Sequence, residues 1–538
     1  VALLMLCAAY VLPGLVGRDP WRNADVNAFG LMLAMAEGRT SWWAPALGGV
    51  FADTALPPHW LGAVFIALGQ GWLDPALAAR VPFALLLALT LALVWYSTYL
   101  LARTEAAQPV AFAFGGEAEP VAYARAMADG GVLALMATLG LLQLGHETTP
   151  ELAQLFAVSL VMYGLAAAPF RILRARLAVL VALPLLAACG APSMALAAGL
   201  GGFAVCSQSR LNQVRGFSPW VAAAAVLAVI AAWGLDAWRW RAEALTLGDA
   251  PGIARQWLWF MWPAWPLALW TLLRWRHHLL YRHLSVPLVL ALLGLGANLA
   301  MGGSDRALML ALPALAVLAA FALPTLKRSA SAAVDWFSMC FFTLAVTTAW
   351  VLYAAVQTGV PAKPAANVAR LFPGFVPQFS LLALLLALAG TVAWIWLVRW
   401  RSGRHRQALW KSLVLPASGV ALIWLLLMTL GLPLADYARS PRPLVTQLQA
   451  VIPPEACIAA PGLAPATVAA LEYFGRWRVD ARPGAAQMSL QDPATCGYLL
   501  SLTRARPLPP APVGWVPLAQ ATRPRDRDEV AQVFRRQP

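Results

Sequence analysis

Two carboxylates, Asp19 and Asp25, flank Trp21 in the stretch GRDPWRNAD, directly after an apolar run over residues 1–17. A carboxylate at the end of a membrane-spanning helix stands at the edge of a low-dielectric region. There it can take a proton from a hydroxyl as a general base, or help to hold a cation. A second group of chemically able residues, HETTPELAQLF, carries His146, Glu147 and Glu151 between two further apolar runs. Imidazole and carboxylate are ligands for hard or borderline divalent ions, so His146 and Glu147, with Asp25, form a candidate metal set. The same letters TTPE also describe an ordinary helix N-terminus, with a cap, a proline and an acid that suits the helix dipole. Of the six cysteines, Cys7, Cys189, Cys206 and Cys340 lie in apolar segments, where small buried thiols are ordinary. No CxxC pair and no HExxH motif occurs, so the standard zinc signatures are missing.

These residues must be positioned by a chain that is 61% hydrophobic and 12% charged, with a mean hydropathy of +0.67. Soluble domains carry about a quarter charged residues. About thirteen apolar segments recur, near 1–17, 76–102, 123–145, 152–169, 177–189, 192–207, 219–235, 256–274, 286–301, 307–326, 336–358, 380–398 and 413–434. Runs of this length match a hydrocarbon core of roughly 30 Å. The net charge of +15 is concentrated in alternate short loops: Arg171, Arg174 and Arg176; Arg210 and Arg215; Arg274, Arg276 and Arg282; Lys327 and Arg328; and Arg399 to Lys411. That is the positive-inside pattern, and it excludes nucleic-acid binding as the origin of the charge.

The same rule predicts a cytoplasmic N-terminus, with the loops at 18–75, 146–151, 236–255, 302–306 and 359–379 facing outward together with a polar tail from about residue 436. Residues 1–17 read as a spanning helix whose cytoplasmic start has been trimmed; an uncleaved signal-anchor has the same letters. Pro184, Gly190 and Pro192 leave residues 177–207 as two short helices or one kinked hairpin, and the stretch 104–122 as a loop or a poor helix. His277, His278 and His283, with Arg274 and Trp275, suit a cytoplasmic interface patch that meets anionic lipid.

The tail differs in character. LVTQLQAVIP suits an amphipathic helix, and EACIAAPG and CGYLLSL suit short strands, which together predict a small α/β domain. Cys457 and Cys496 both lie there, and in an oxidising compartment they are expected to pair as a disulfide. The expected architecture is an all-α polytopic membrane module over residues 1–435 with an α/β C-terminal domain over residues 436–538.

The first outward loop is far longer than the others, and long ordered loops are disproportionately functional. Trp42, Trp43 and Trp60 suit an interfacial aromatic belt. The segment PWRNADVNAFGLMLAMAEGRTSWWAPALGGVFADTALPPHWLGAVFIALG, followed by DPALAARVPFALLLALTLALVWYSTYLLAR, resembles the opening of the GT-C type, polyprenyl-phosphate-sugar-dependent glycosyltransferases. Within these it is most similar to the lipid A aminoarabinose transferase and protein mannosyltransferase-like families. Their acidic pair, their basic residue with Pro-Pro-Leu-aromatic-Trp, and their Ala-Ala-Arg-x-Pro entry to helix two correspond here to Asp25-Val26, to Leu56-Pro57-Pro58-His59-Trp60, and to Ala78-Ala79-Arg80-Val81-Pro82. GGSDRALMLALPALAVLAAFAL resembles the family's basic residue before a Leu-Pro helix. The second acid and the basic residue before Pro-Pro are replaced by Val26 and Leu56.

The resemblance implies an integral membrane enzyme of the inner membrane, with a periplasmic tail. It would move a sugar from a polyprenyl-phosphate carrier to lipid A, another glycan or a protein. It implies Asp25 as catalytic base or metal-linked acid, with Glu151 or Glu147 supplying the acid of the second outward loop; Asp129 is the competing position. Arg306 and Arg80, with His59 beside them, would meet the carrier phosphate. A divalent ion on His146 and Glu147 is the one cofactor the residues suggest. Two rival classes remain open at this level: a non-catalytic GT-C relative that binds carrier lipid or assists envelope assembly, and a transporter, against which stand the odd helix count and the scarcity of charge within the helices.

Overall fold

The computed structural model of the chain describes residues 1–21, 23–108, 119–238, 242–402, 411–491, 496–504, 507–524 and 528–537. Each of the thirteen apolar segments contains helix, several with a break, but the first is helical only over Ala2–Val11, and residues 12–17 turn before the next element. Eight helices are long and apolar enough to cross a membrane: Pro75–Ala102, Pro150–Ala167, Asn212–Gly234, Arg282–Ala300, Asp305–Thr325, Ser329–Thr358, Leu381–Arg401 and Ser412–Thr429. Shorter apolar helices include Ala2–Val11 and Pro192–Ser207. The region 177–207 resolves into two helices, Ile172–Ala188 and Pro192–Ser207, which part at Gly190, a residue with φ of +90°. The run 256–274 divides into Ala250–Phe260 and Ala264–Arg274 beside Pro263, which has no N–H to continue the ladder. Within 104–122, residues 109–118 lie outside the described set, and a helix starts at Pro120.

The described residues form two compact units. One comprises Val1–Leu15, Phe83–Thr347 and Leu385–Leu426; the other comprises Val16–Pro82, Thr348–Leu384 and Leu427–Pro538.

In the first unit the apolar helix Leu312–Ala320 is wholly buried, packed by Pro120–Ala137, Ala264–Arg274 and Arg282–Ala300. Its approach to the last of these depends on Gly294: a Cβ there would come within 2.6 Å of the Ala311 backbone nitrogen. Small residues at such crossings let membrane helices touch through their backbones. The short helix Asp305–Met309, which carries Arg306, leads into this buried element.

The second unit joins the long first loop to the tail. Its main sheet contains β3 (Cys457–Ala459), β4 (Arg478–Asp480), β5 (Tyr498–Thr503), β6 (Trp515–Thr522) and β7 (Val530–Arg536), in the order β4-β3-β5-β7-β6. β3 pairs parallel with β4 and β5, while β7 pairs antiparallel with β5 and β6. Side chains alternate across this sheet as a strand requires. Ile458, Leu500 and Val533 face one layer, and Ala459, Leu499, Trp515 and Phe534 face the other with Ala485 and Cys496. The first layer is completed by helices Arg442–Gln449 and Pro465–Gly475, and by Val26, Leu31, Ala34 and Leu47 from the first loop. Residues 436–538 thus share one apolar core with the loop that bears Asp25. Fully burying each such aliphatic side chain is worth about 1.5–3 kcal/mol. Helix Ala24–Ala36 lies backbone-close on Pro465–Gly475, because a Cβ on Gly30 would collide with the Ala469 side chain.

A two-stranded ribbon, β1 (Ala46–Leu47) with β2 (Val50–Phe51), and helix Leu56–Gly69 fill the rest of the loop. Pro57 and Pro58 begin that helix rather than break the chain, since the first turn has no need of their N–H groups.

Candidate active site

Asp25 stands in the first turn of helix Ala24–Ala36 and is 1% exposed. The helix opens on Asn23 in the left-handed region, with φ of +64°, and this turns the chain so that Asp25 faces back along it. The Trp21 backbone N–H donates to Asp25 Oδ2 at 3.1 Å, which gives the helix start an acceptor for an N–H outside its ladder. Arg18 lies 3.8 Å from the same oxygen and is itself only 2% exposed. Trp21 is held from several sides. Its indole Nε1–H donates to Asp436 Oδ1 at 2.8 Å, and the guanidinium groups of Arg18 and Arg439 lie 5.0 and 5.1 Å from its ring centre. Cation–π contact of this kind is strongest away from water.

Two more groups close the cluster. Arg80, 5% exposed on helix Pro75–Ala102, feels the charges of Arg18, Asp25, Asp436 and Asp74. Asp19 binds Arg442 in a fork, at 2.8 Å to Nε and 2.5 Å to Nη2, and accepts from the Ser440 hydroxyl at 2.8 Å. Burial raises the Asp436 carboxyl to about 7; the Trp21 hydrogen bond opposes the rise and the Asp19 carboxylate adds to it. Sequence reasoning picked out Asp25, Asp19 and Arg80. It did not pick out Arg18 or Asp436, although an arginine directly after the first apolar run and an acid just past the last apolar segment were the available signals.

A second cluster belongs to the other unit. Arg306 binds Glu147 at 2.5 Å, Thr149 Oγ1 at 3.0 Å and Glu151 at 3.4 Å. Gln143 donates to the second Glu147 oxygen at 2.9 Å. Glu151 lies in the first turn of helix Pro150–Ala167, so the TTPE segment is a helix start and a guanidinium clamp together. His146 lies beside this clamp, its Nδ1 2.7 Å from the Leu142 carbonyl and its Nε2 2.8 Å from the Tyr10 carbonyl, with Trp424 at 4.5 Å between ring centres. Both ring nitrogens face backbone carbonyls, and Glu147 faces Arg306 and Gln143. As donors to an ion they do not fit in this arrangement. No group of three or more histidine, cysteine or carboxylate side chains forms a metal site among the described residues.

The remaining candidates fall elsewhere. His59 is 1% exposed, with Nδ1 2.6 Å from the Ala55 carbonyl at the start of its own helix. Asp129 accepts from the Trp95 indole at 2.8 Å inside the helical unit. His283 does not join a surface patch with His277 and His278. Helix Arg282–Ala300 starts earlier than the apolar run indicates, and its first turn buries His283 fully, 5.0 Å from Trp275 and 5.1 Å from Phe321. Cys457 and Cys496 are joined by a disulfide, with their Cα atoms 4.4 Å apart, at the edge of the second core layer.

With a mostly helical apolar module and an α/β tail, the chain has a GT-C-like fold, and its apolar helices make it a multi-pass membrane protein. It is similar to ArnT from Cupriavidus metallidurans. The apo structure of that protein matches with a TM-score of 0.62, and the structure bound to undecaprenyl phosphate with a TM-score of 0.61. Each match has 13% sequence identity over 99% of this chain and 96% of the other. No protein-family model matches the sequence, and no curated protein sequence does.

Proposed function

We propose that this protein is an integral membrane glycosyltransferase that moves a sugar from a polyprenyl-phosphate carrier to an acceptor in the bacterial cell envelope. We place it in the inner membrane, with the N-terminus cytoplasmic and the tail periplasmic. The observation that carries the reading is a buried carboxylate, Asp25, among buried guanidinium groups on a fold like that of ArnT, which has been seen with undecaprenyl phosphate.

In the reaction an acceptor oxygen attacks the anomeric carbon, and a new C–O bond forms there. The bond from that carbon to the carrier phosphate breaks, its electron pair leaves with the phosphate, and the acceptor proton passes to Asp25. One displacement inverts the anomeric configuration. Arg80 and Arg18 meet the charge that grows on the departing phosphate, where preorganised cations act most strongly. Arg306 already holds two carboxylates, so we assign Glu147 and Glu151 to fixing it and give it the lesser share of the phosphate. No step is routed through a metal ion, since the His146 and Glu147 donors face other partners. The acceptor is lipid A, a glycan or a protein.

The test is transfer from a polyprenyl-phosphate sugar by purified protein in nanodiscs, with Asp25→Ala beside it. Turnover by wild type alone supports the reading. A wild type that neither turns over nor holds carrier leaves a GT-C fold that serves as a scaffold.

A further inference from the structure

The helical unit turns at a basic cluster after each of the helices Pro150–Ala167, Pro192–Ser207 and Ala264–Arg274. Packing brings these turns together. Arg282, which opens helix Arg282–Ala300, donates through Nη2 to the Leu165 carbonyl at 2.5 Å. A Cβ on Gly164 would lie 3.3 Å from the Ala175 carbonyl oxygen, so the residue before Arg176 packs on the same helix end. A Cβ on Gly202 would reach the side chains of both Leu165 and Val221, and the Arg176 guanidinium lies 4.7 Å from the ring centre of Trp220. Arg176 and Arg282 therefore share one end of helix Pro150–Ala167.

Both guanidinium groups are half-buried, and much of their hydrogen-bonding capacity is unused. Arg282 Nε and Nη1 and Arg176 Nε are closed off from solvent without an acceptor. The Trp275 indole nitrogen and both nitrogens of His283, which follows Arg282 and lies 5.0 Å from Trp275 between ring centres, are in the same state. Cys206 neighbours Arg282, but a thiol brings no balancing charge. Between Glu151 and Asp236, and again between Asp249 and Asp305, the chain has no carboxylate, so none of these turns supplies one. Of the acids outside those stretches, Asp335 is held by Arg401, and Glu105, in the loop after Arg103, is exposed. Among the described residues neither Arg176 nor Arg282 forms an ion pair. Cations withdrawn from water without a counter-charge are strongly unfavourable, so the face calls for an anion from outside the chain. Guanidinium groups take phosphate oxygens through paired N–H bonds, and basic pockets between membrane helices hold lipid headgroups in this way. Leu173 and Leu177 flank Arg176 and are exposed, as is Leu280 beside Arg282. A free phosphate would leave these side chains bare, whereas acyl chains cover them.

We propose that this end of the helical unit binds an anionic phospholipid, its phosphate on Arg282 and Arg176 and its acyl chains along Leu173 and Leu177. Such a site stands apart from the transferase reading. Delipidated full-length protein in detergent is titrated with phosphatidylglycerol or with phosphatidylcholine of the same chains, and bound lipid is counted by native mass spectrometry. Wild type is expected to hold phosphatidylglycerol at least about tenfold more tightly, the effect of one charge-assisted hydrogen bond. Arg176→Gln combined with Arg282→Gln should abolish that preference. Arg276→Gln, at an exposed arginine that bonds to His277, should keep it. Leu173→Glu guards against misfolding of the double variant: it leaves both arginines in place, sets a carboxylate three residues before Arg176, and should also lose the preference. Equal binding of the two lipids by wild type, an unchanged preference in the double variant or in Leu173→Glu, or an equal loss in Arg276→Gln overturns the proposal. So does a thermal transition raised as much by inorganic phosphate as by phosphatidylglycerol, which would leave an ion site without lipid.

Discussion

The two charged clusters are built in opposite proportions. Around Arg306 one guanidinium serves two carboxylates, Glu147 and Glu151, and a threonine hydroxyl. Around Asp25 one carboxylate lies against Arg18 and within the field of Arg80, and the tail sends in Asp436 to hold the tryptophan between them. The first composition has its one cation fully engaged by carboxylates and works as a clamp, fixing a helix start to the segment that enters the buried Leu312–Ala320 helix. The second gathers Arg18 and Arg80 about the buried Asp25, with Asp436 and Asp74 also in reach of Arg80, a mixed cluster in which cation and base stand together. A charged residue near a membrane helix is therefore read best from the sum of its neighbours.

The comparison breaks first at Asp25. Asp25→Asn, which keeps an acceptor for the Trp21 N–H, is expected to lower transfer by at least about a hundredfold, the lower end for loss of a general base; equal turnover would make Asp25 a structural acid. Next comes the contrast between arginines. Arg80→Ala should weaken carrier binding by about tenfold or more, and Arg306→Ala by less, when titrated with undecaprenyl phosphate. The reverse order would return the phosphate site to the Arg306 cluster. Gly30→Val tests the platform beneath Asp25. Forcing a branched side chain against Ala469 should cost about 1–3 kcal/mol, seen as an earlier melt of the α/β unit.

The smallest effect is a dependence on pH. Because the Asp436 carboxyl is raised to about 7 by burial, its contribution to stability is full below the ordinary carboxylate range and is lost as pH rises through about 7. Wild type should melt earlier at about pH 8.5 than at about pH 5.5, and Asp436→Asn should flatten that difference while leaving an acceptor for the Trp21 indole. A variant with the full wild-type slope would place the titration elsewhere.

Much of this was legible in the sequence for physical reasons. Apolar runs and alternating basic loops mark membrane helices because lipid leaves the chain few alternatives. Asp25 stood out as an acid beside an apolar run. The Arg306 clamp was legible only as separate letters, since Arg306 and Glu147 lie 159 residues apart. Asp436 meets Trp21 across 415 residues, and no local pattern encodes such a contact. The strands β6 and β7 were missed because neither WVPLAQAT, with Pro517 inside it, nor VAQVFRR, buried along its first five residues, shows the clean apolar-polar alternation that marks a half-buried strand. His283 was misplaced by one helical turn, which at 3.6 residues per turn is enough to move a side chain from surface to core.

The central claim is that the Asp25 cluster holds a polyprenyl phosphate. Native mass spectrometry of the purified protein, beside Arg80→Ala and Arg306→Ala, measures this directly. The prediction is carrier bound to wild type and to Arg306→Ala, and lost from Arg80→Ala. Carrier absent from wild type, or retained equally by all three, would contradict it.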